Sequence, residues 1–266
     1  MNAQKTVGRR SAMVAMAMVG LLATATSASA ARVLFVDSAT TVDPSWRTLI
    51  ESGGHTYTLF DKSTYSFSLS TQADKDYVNG FDVIVMSGSN AAFNSVRAYG
   101  AIWNALPTPM VNLGNYLISG LYSSTSWRWT TPASGGVVNV NDPSLAVADG
   151  SDPIWTGIAL QNGGTTTPDL HTGNVGALTL GANSLLPNLT AVATKTATPG
   201  TIVIGHAAAG ALRTGGAAEY FVAGMTGNDG TAVPYTDAGK QVFLNAITSL
   251  TGDWPSPARG TLLSVR

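Results

Sequence analysis

Two uninterrupted apolar runs, Arg32-Val33-Leu34-Phe35-Val36 and Phe81-Asp82-Val83-Ile84-Val85-Met86, constrain the fold of this chain more than any other feature. A strand with one wet face alternates apolar and polar residues, whereas a strand covered on both faces does not. Each run is followed by turn residues and then by apolar positions at helical spacing. After the first, Asp43-Pro44 reads as N-cap and first helical residue, leading to Trp46, Leu49 and Ile50 before Gly53-Gly54 ends the helix. After the second, Ser87-Gly88-Ser89-Asn90 turns the chain into a helix carrying Phe93, Val96, Ile102 and Leu106, stopped by Pro107. His55–Phe60 and Pro109–Leu113 supply two more strands, and Thr71–Asn79 a short helix beyond the irregular Ser63–Ser70 loop. Strand and helix in that rhythm predict right-handed crossovers and an α/β fold with a doubly wound, mostly parallel sheet.

The second half reads differently. Between Tyr122 and Gly216, turn signals separate short β-prone runs at Val137–Val140, Leu145–Val147, Ala177–Leu180, Thr190–Ala193 and Thr201–Ile204. These are expected as antiparallel additions on the edge of the sheet. Glu219–Val222 is one more candidate strand. Val242, Phe243, Ala246, Ile247 and Leu250 mark an amphipathic helix with Thr236 as its N-cap.

Ahead of the first strand lies an export leader. Lys5, Arg9 and Arg10 precede the apolar stretch Ser11–Thr24, and Ser27-Ala28-Ser29-Ala30 offers small residues for cleavage after Ala30. The stretch is shorter than the roughly 20 residues that span a bilayer, so a cleaved signal is favoured over an anchor. The general secretory and twin-arginine routes both stay open. The expected organisation is a signal peptide over 1–30, one α/β domain over 31–252 and a loose tail over 253–266, in a secreted or periplasmic protein. The leader takes three of the 14 basic residues with it and none of the 15 acidic ones, leaving an acidic chain poorly suited to nucleic acid. Cysteine is absent, which removes thiol catalysis and thiolate metal sites. Charged residues are only 11% of the chain, so the surface is largely neutral and polar and says little about ligand charge.

Several segments together resemble the class I glutamine amidotransferase-like superfamily, including its trehalose-utilisation-type branch. They are Val33-Leu34-Phe35-Val36-Asp37, Gly54-His55-Thr56-Tyr57-Thr58, Asp82-Val83-Ile84-Val85-Met86-Ser87-Gly88, Ser151–Ile158 and the closing Thr236–Leu250 helix. The resemblance implies a flavodoxin-like sheet with its site at the carboxyl edge. Catalytic members place a cysteine on a sharp strand-to-helix turn, where the helix N-terminus and backbone amides activate it. The matching turn here is Asn112-Leu113-Gly114-Asn115-Tyr116, which puts Asn115 or Tyr116 at the nucleophile's place. The family's late His-x-Glu pair is also missing, since Gly205-His206-Ala207-Ala208 has no Glu at that spacing. The resemblance therefore does not carry glutaminase chemistry to this chain.

Other chemistries find weak footing. His55, His171 and His206 show no metal-ligand spacing, and no metal or other cofactor is expected. Glu51 and Glu219, the only glutamates, fix no glycosidase pair. The Asp142 and Asp149–Asp152 cluster lacks a calcium-loop pattern and reads as turns. Ser89 follows a buried strand and could meet His206 and Asp37 as a hydrolase triad, or could simply cap the next helix. Trp127 and Trp129, in a Ser/Thr-rich loop, would stack on a sugar if exposed or cover the sheet end if buried. The expectation is a non-catalytic domain binding a small ligand, carbohydrate included, or a partner of unknown identity. Asp37, Ser89, Asn90 and Asn115 would line the crevice, with Trp127 and Trp129 at the rim. An exported Ser/His hydrolase and a cell-surface interaction protein are the alternatives.

Overall fold

A computed structural model describes residues 30–114, 117, 127, 143–172, 189–197, 202–210, 219–222 and 235–252. Its strands are β1 (Arg32–Val36), β2 (Thr56–Leu59), β3 (Val83–Met86), β4 (Met110–Asn112), β5 (Leu145–Val147), β6 (Leu189–Lys195), β7 (Ile202–Ala207) and β8 (Glu219–Val222). They form one sheet in the order β2-β1-β3-β4-β8-β7-β6-β5. From β2 to β8 neighbours pair in parallel, and β7, β6 and β5 continue antiparallel. The doubly wound parallel sheet with antiparallel additions is thus what the sequence pattern predicts. The parallel part, however, extends further than its first four strands. β8 inserts between β4 and β7 and ties the late strands to the early ones.

The helices are α1 (Ser45–Ser52), α2 (Gln72–Asn79), α3 (Asn90–Val96), α4 (Gly100–Trp103) and α5 (Asp237–Thr251). The continuous apolar strands are buried throughout: Val33 to Val36 and Val83 to Met86 have no exposed surface. One face of the sheet is closed by α1 and α5, where Trp46 packs between Phe35 and Phe243 with ring centroids 5.4 and 5.5 Å away. Right-handed crossovers from β2 to β3 and from β3 to β4 carry α2, α3 and α4 to the other face.

Short polar side chains stand at three helix starts. The Asp43 carboxylate accepts the Ser45 N–H at 2.9 Å ahead of α1. Thr71 and Asp74 form a reciprocal capping box on α2, and the Thr236 hydroxyl accepts the Gly239 N–H at 3.2 Å on α5. The helix expected from Phe93 to Leu106 is instead broken by a 3₁₀ turn at Arg97–Tyr99. The Trp127 indole donates to the Val96 carbonyl at 3.4 Å, and at Gly100 a Cβ would lie 2.8 Å from the Trp127 ring. The chain therefore bends around a tryptophan, and glycine is the residue that lets it. Among the described residues no helix is long and apolar enough to cross a membrane. The expected leader, the runs at 137–140 and 177–180, and the tail from 253 lie outside the described residues.

Candidate functional site

The carboxyl ends of the parallel strands share one local device. After β1, β2, β3 and β4, a short polar side chain accepts the backbone N–H two residues on. Asp37 takes Ala39 at 2.8 Å, Asp61 takes Ser63 at 3.1 Å, the Ser87 hydroxyl takes Ser89 at 3.2 Å and Asn112 takes Gly114 at 2.9 Å. The chain passes to opposite sides of β1 at this edge, which makes the gap between β1 and β3 the switch point where doubly wound sheets bind ligands.

Here that gap is bridged. Ser89 donates its hydroxyl proton to Asp37 at 2.9 Å and accepts the Ala92 N–H at 3.0 Å, so it also caps α3. Asp37 and Ser89 are only 3% and 1% exposed. The two sequence candidates do meet, but they are buried against each other. Asn90 is the first residue of α3. Asn115 and Trp129 lie outside the described residues. Asn112 is fully buried and its Nδ2 has no hydrogen-bond partner, leaving a spare amide NH₂ group at the end of β4.

His206 does not join Ser89 and Asp37. It lies on β7, directly opposite Tyr220 of β8, with β8 and β4 between its strand and β3. Three strand spacings amount to roughly 14 Å, so the sheet order itself prevents the triad. Its Nδ1 instead sits 2.8 Å from Asp152 Oδ2, and its ring stacks on Tyr220 with centroids 4.2 Å apart. Asp152 Oδ1 accepts the Tyr220 hydroxyl and the Ile154 N–H, each at 2.9 Å. Burial, reinforced by the neighbouring Asp152 and Asp149 carboxylates, pushes the Tyr220 hydroxyl far above its ordinary value. The same segment is gripped from α5, where Asn245 Nδ2 donates to the carbonyls of Ile154 and Thr156 at 2.7 and 2.8 Å. Asp152 escaped the sequence reading because Asp-Pro is an ordinary turn signal. Nothing local reveals its partners on β7 and β8.

Trp127 is corrected as a stacking platform. It is 2% exposed, stacks on Trp103 at 5.8 Å, and its carbonyl accepts from Asn104 at 3.1 Å. Two aromatic faces pressed together beneath a glycine-bearing bend belong to the core.

The open aromatic surface is elsewhere at this edge. A groove of about 610 Å³ lies between the loop after β2 and the α3 region, lined by Tyr65, Ser66, Phe67, Asn94, Ser95 and Tyr99 among others. Tyr65 is held by face-to-face stacking on Tyr77 at 3.8 Å, and Phe67 by stacking on Phe60 at 4.5 Å. Asp74 fixes the loop backbone by accepting the Ser66 N–H at 3.0 Å. Its other oxygen takes the Thr71 N–H and hydroxyl. These donors, Ser66 first, hold the Asp74 carboxyl below the ordinary carboxylate range. Lys62, at the groove's end, places its ammonium on the carbonyls of Ser38 and Ala39 at 2.8 and 2.9 Å. The sequence signal was present as Thr64-Tyr65-Ser66-Phe67-Ser68, an aromatic alternation inside a polar loop. Among the described residues no three His, Asp or Glu side chains converge on a point that could hold a metal.

No protein-family model matches this chain, and no curated protein does. Solved structures similar to it include a cytoplasmic protein of Salmonella typhimurium, 11% identical, with 82% of this chain and 98% of that one aligned at a TM-score of 0.44. Another is a candidate GMP synthase subunit from Thermoplasma acidophilum, 14% identical, with 84% and 96% aligned and a TM-score of 0.44.

Proposed function

We infer that this chain is an exported, non-catalytic domain of amidotransferase-like type that binds a neutral, hydroxyl-bearing ligand, carbohydrate foremost, in the groove beside the carboxyl edge. The observation that carries this reading is the lining. Serine hydroxyls and the Asn94 carboxamide can donate and accept, and the Tyr65, Phe67 and Tyr99 rings offer apolar faces of the kind a sugar presents. The one cation at the groove is spent on backbone carbonyls, which favours an uncharged ligand. The walls are already held by ring stacking and by Asp74, so little ordering is left to oppose binding. Against catalysis stand the missing cysteine at 115–116 and the placement of His206 three strand spacings from Ser89. Export rests on the leader alone.

Calorimetric titration of the processed chain with a panel of neutral mono- and oligosaccharides tests the reading. A binding sugar should lose at least tenfold in affinity in Tyr65→Ala, about 1.4 kcal/mol. A panel without binding, or binding indifferent to Tyr65→Ala, refutes the site. N-terminal sequencing of exported material should begin at Ala31.

A further inference from the structure

The two edges of the sheet are treated differently. Along β5 the segment 165–167 forms a strap: Val147 donates its N–H to Thr165 and Thr167 donates to Leu145, both at 2.9 Å. Along β2 nothing comparable pairs among the described residues. The inner side of β2 is used, with Thr56 and Phe60 donating to the carbonyls of Ala31 and Phe35 at 2.8 and 2.9 Å. Alternation along a strand then turns the N–H and C=O groups of Tyr57 and Leu59 outward. Edge strands are ordinarily guarded by Lys, Pro or a bulge, and Thr56-Tyr57-Thr58-Leu59 has none of these. Leu59 is 38% exposed and is the large hydrophobic residue left exposed among the described residues.

We propose that β2 is a self-complementary edge that pairs antiparallel with β2 of a second copy of this chain, about a two-fold axis through Thr58. In that register Tyr57 of one copy and Leu59 of the other exchange both backbone hydrogen bonds, and the symmetry repeats the exchange. The side chains fit the same register. Tyr57 and Leu59 share the sheet face of Val33 and Phe35, so the exposed Leu59 meets the ring of the opposing Tyr57. That ring is already braced by Phe35 at 5.7 Å and by the Arg47 guanidinium at 5.3 Å. On the other face the two Thr58 side chains meet. Further out, His55 falls opposite Asp61 and Gly54 opposite Lys62, so no like charges oppose one another. The axis also runs the second α1 antiparallel to the first, turning the exposed Arg47 and Glu51 pair toward its own opposite. The carboxyl edges of the two sheets then point in opposite directions, and the two grooves open at opposite ends of the dimer.

Sedimentation of the full processed chain over a range of concentrations should give a dimer, and Leu59→Lys should give a folded monomer. Because the chain has no cysteine, Thr58→Cys provides a clean geometric readout. Facing residues of a non-hydrogen-bonded pair have Cα atoms about 4.5 Å apart, within disulfide reach. Mild oxidation should therefore cross-link Thr58→Cys, while Thr56→Cys, which faces Phe60 of the other copy, should stay uncross-linked. A monomer at every concentration overturns the proposal, even if it accepts a foreign strand. So does a dimer that persists in Leu59→Lys and fails to cross-link through Thr58→Cys. Sugar binding is measured separately, so its loss or retention does not bear on this result.

Discussion

Removing the Asp152 carboxylate tests whether the late strands are held by one buried polar hub. Asp152→Ala deletes the acceptor for Ile154 N–H, Tyr220 hydroxyl and His206 Nδ1 together. The three bonds share one carboxylate, so their energies do not simply add. Leaving a buried donor without its acceptor costs about 1 to 3 kcal/mol, so losing the three together should cost about 3 to 5 kcal/mol. For a domain of this size each kcal/mol moves Tm by about 2 to 4 °C, giving a fall of about 6 to 20 °C. Asp152→Asn should be far milder, about 1 to 2 kcal/mol, because its oxygen still serves Ile154 and Tyr220. Its NH₂ then faces His206, which must accept. A carboxylate accepts only, so in alkaline buffer the wild-type imidazole carries its proton on Nδ1, and in Asp152→Asn on Nε2. Urea and thermal unfolding supply the energies, and nitrogen NMR of the imidazole reports the tautomer. A loss under about 1 kcal/mol in Asp152→Ala, or an unchanged tautomer in Asp152→Asn, would refute the hub.

Asp74 should give the groove loop an acid limit. Its carboxyl titrates lower in the folded chain than the unfolded value of about 3.9, so its stabilisation is complete above that pH and is lost as pH falls through the folded value. The Tm gap between wild type and Asp74→Asn should be constant near neutrality and shrink below about pH 4; a gap that widens in acid contradicts the assignment. Trp127→Ala should cost about 3 to 5 kcal/mol as a core truncation, yet leave sugar affinity unchanged wherever the variant is folded. Loss of affinity without loss of stability would return Trp127 to the binding surface.

The elements most legible in the sequence were those whose cause is local. Val33–Val36 and Val83–Met86 announce double burial by composition, and Asp43 and Thr236 announce helix starts by capping chemistry. The misread features depend on contacts distant in sequence. The helix break at Arg97–Tyr99 answers to Trp127, some thirty residues on. The alternative in which His206 meets Ser89 fails because β8 inserts between β4 and β7, and that insertion leaves no periodic trace in the sequence. Ser89 and Asp37 did pair, as both follow buried strands that turned out to be neighbours.

The edge position of β2 links the groove and the open strand. The turns after β1, β3 and β4 have neighbours on both sides and close on one another: Asp37 bonds Ser89, and a Cβ on Gly114 would lie 3.2 Å from the Gly88 Cα. Asp37, Ser87 and Ser89 are engaged in that closure, which bridges the switch point where a ligand would ordinarily lie. Among the described residues the loop after β2 has a neighbour on one side only. Lys62 ties it inward to Ser38 and Ala39, Asp74 ties its far end to α2, and the span between them stands away from α3 as a wall. Among the described residues no outer neighbour pairs with β2, which leaves this loop room to form a groove and the Tyr57 and Leu59 backbone without a partner strand. Filling the outer edge would brace the strand from which that wall springs, so occupancy of the edge and rigidity of the groove rise together.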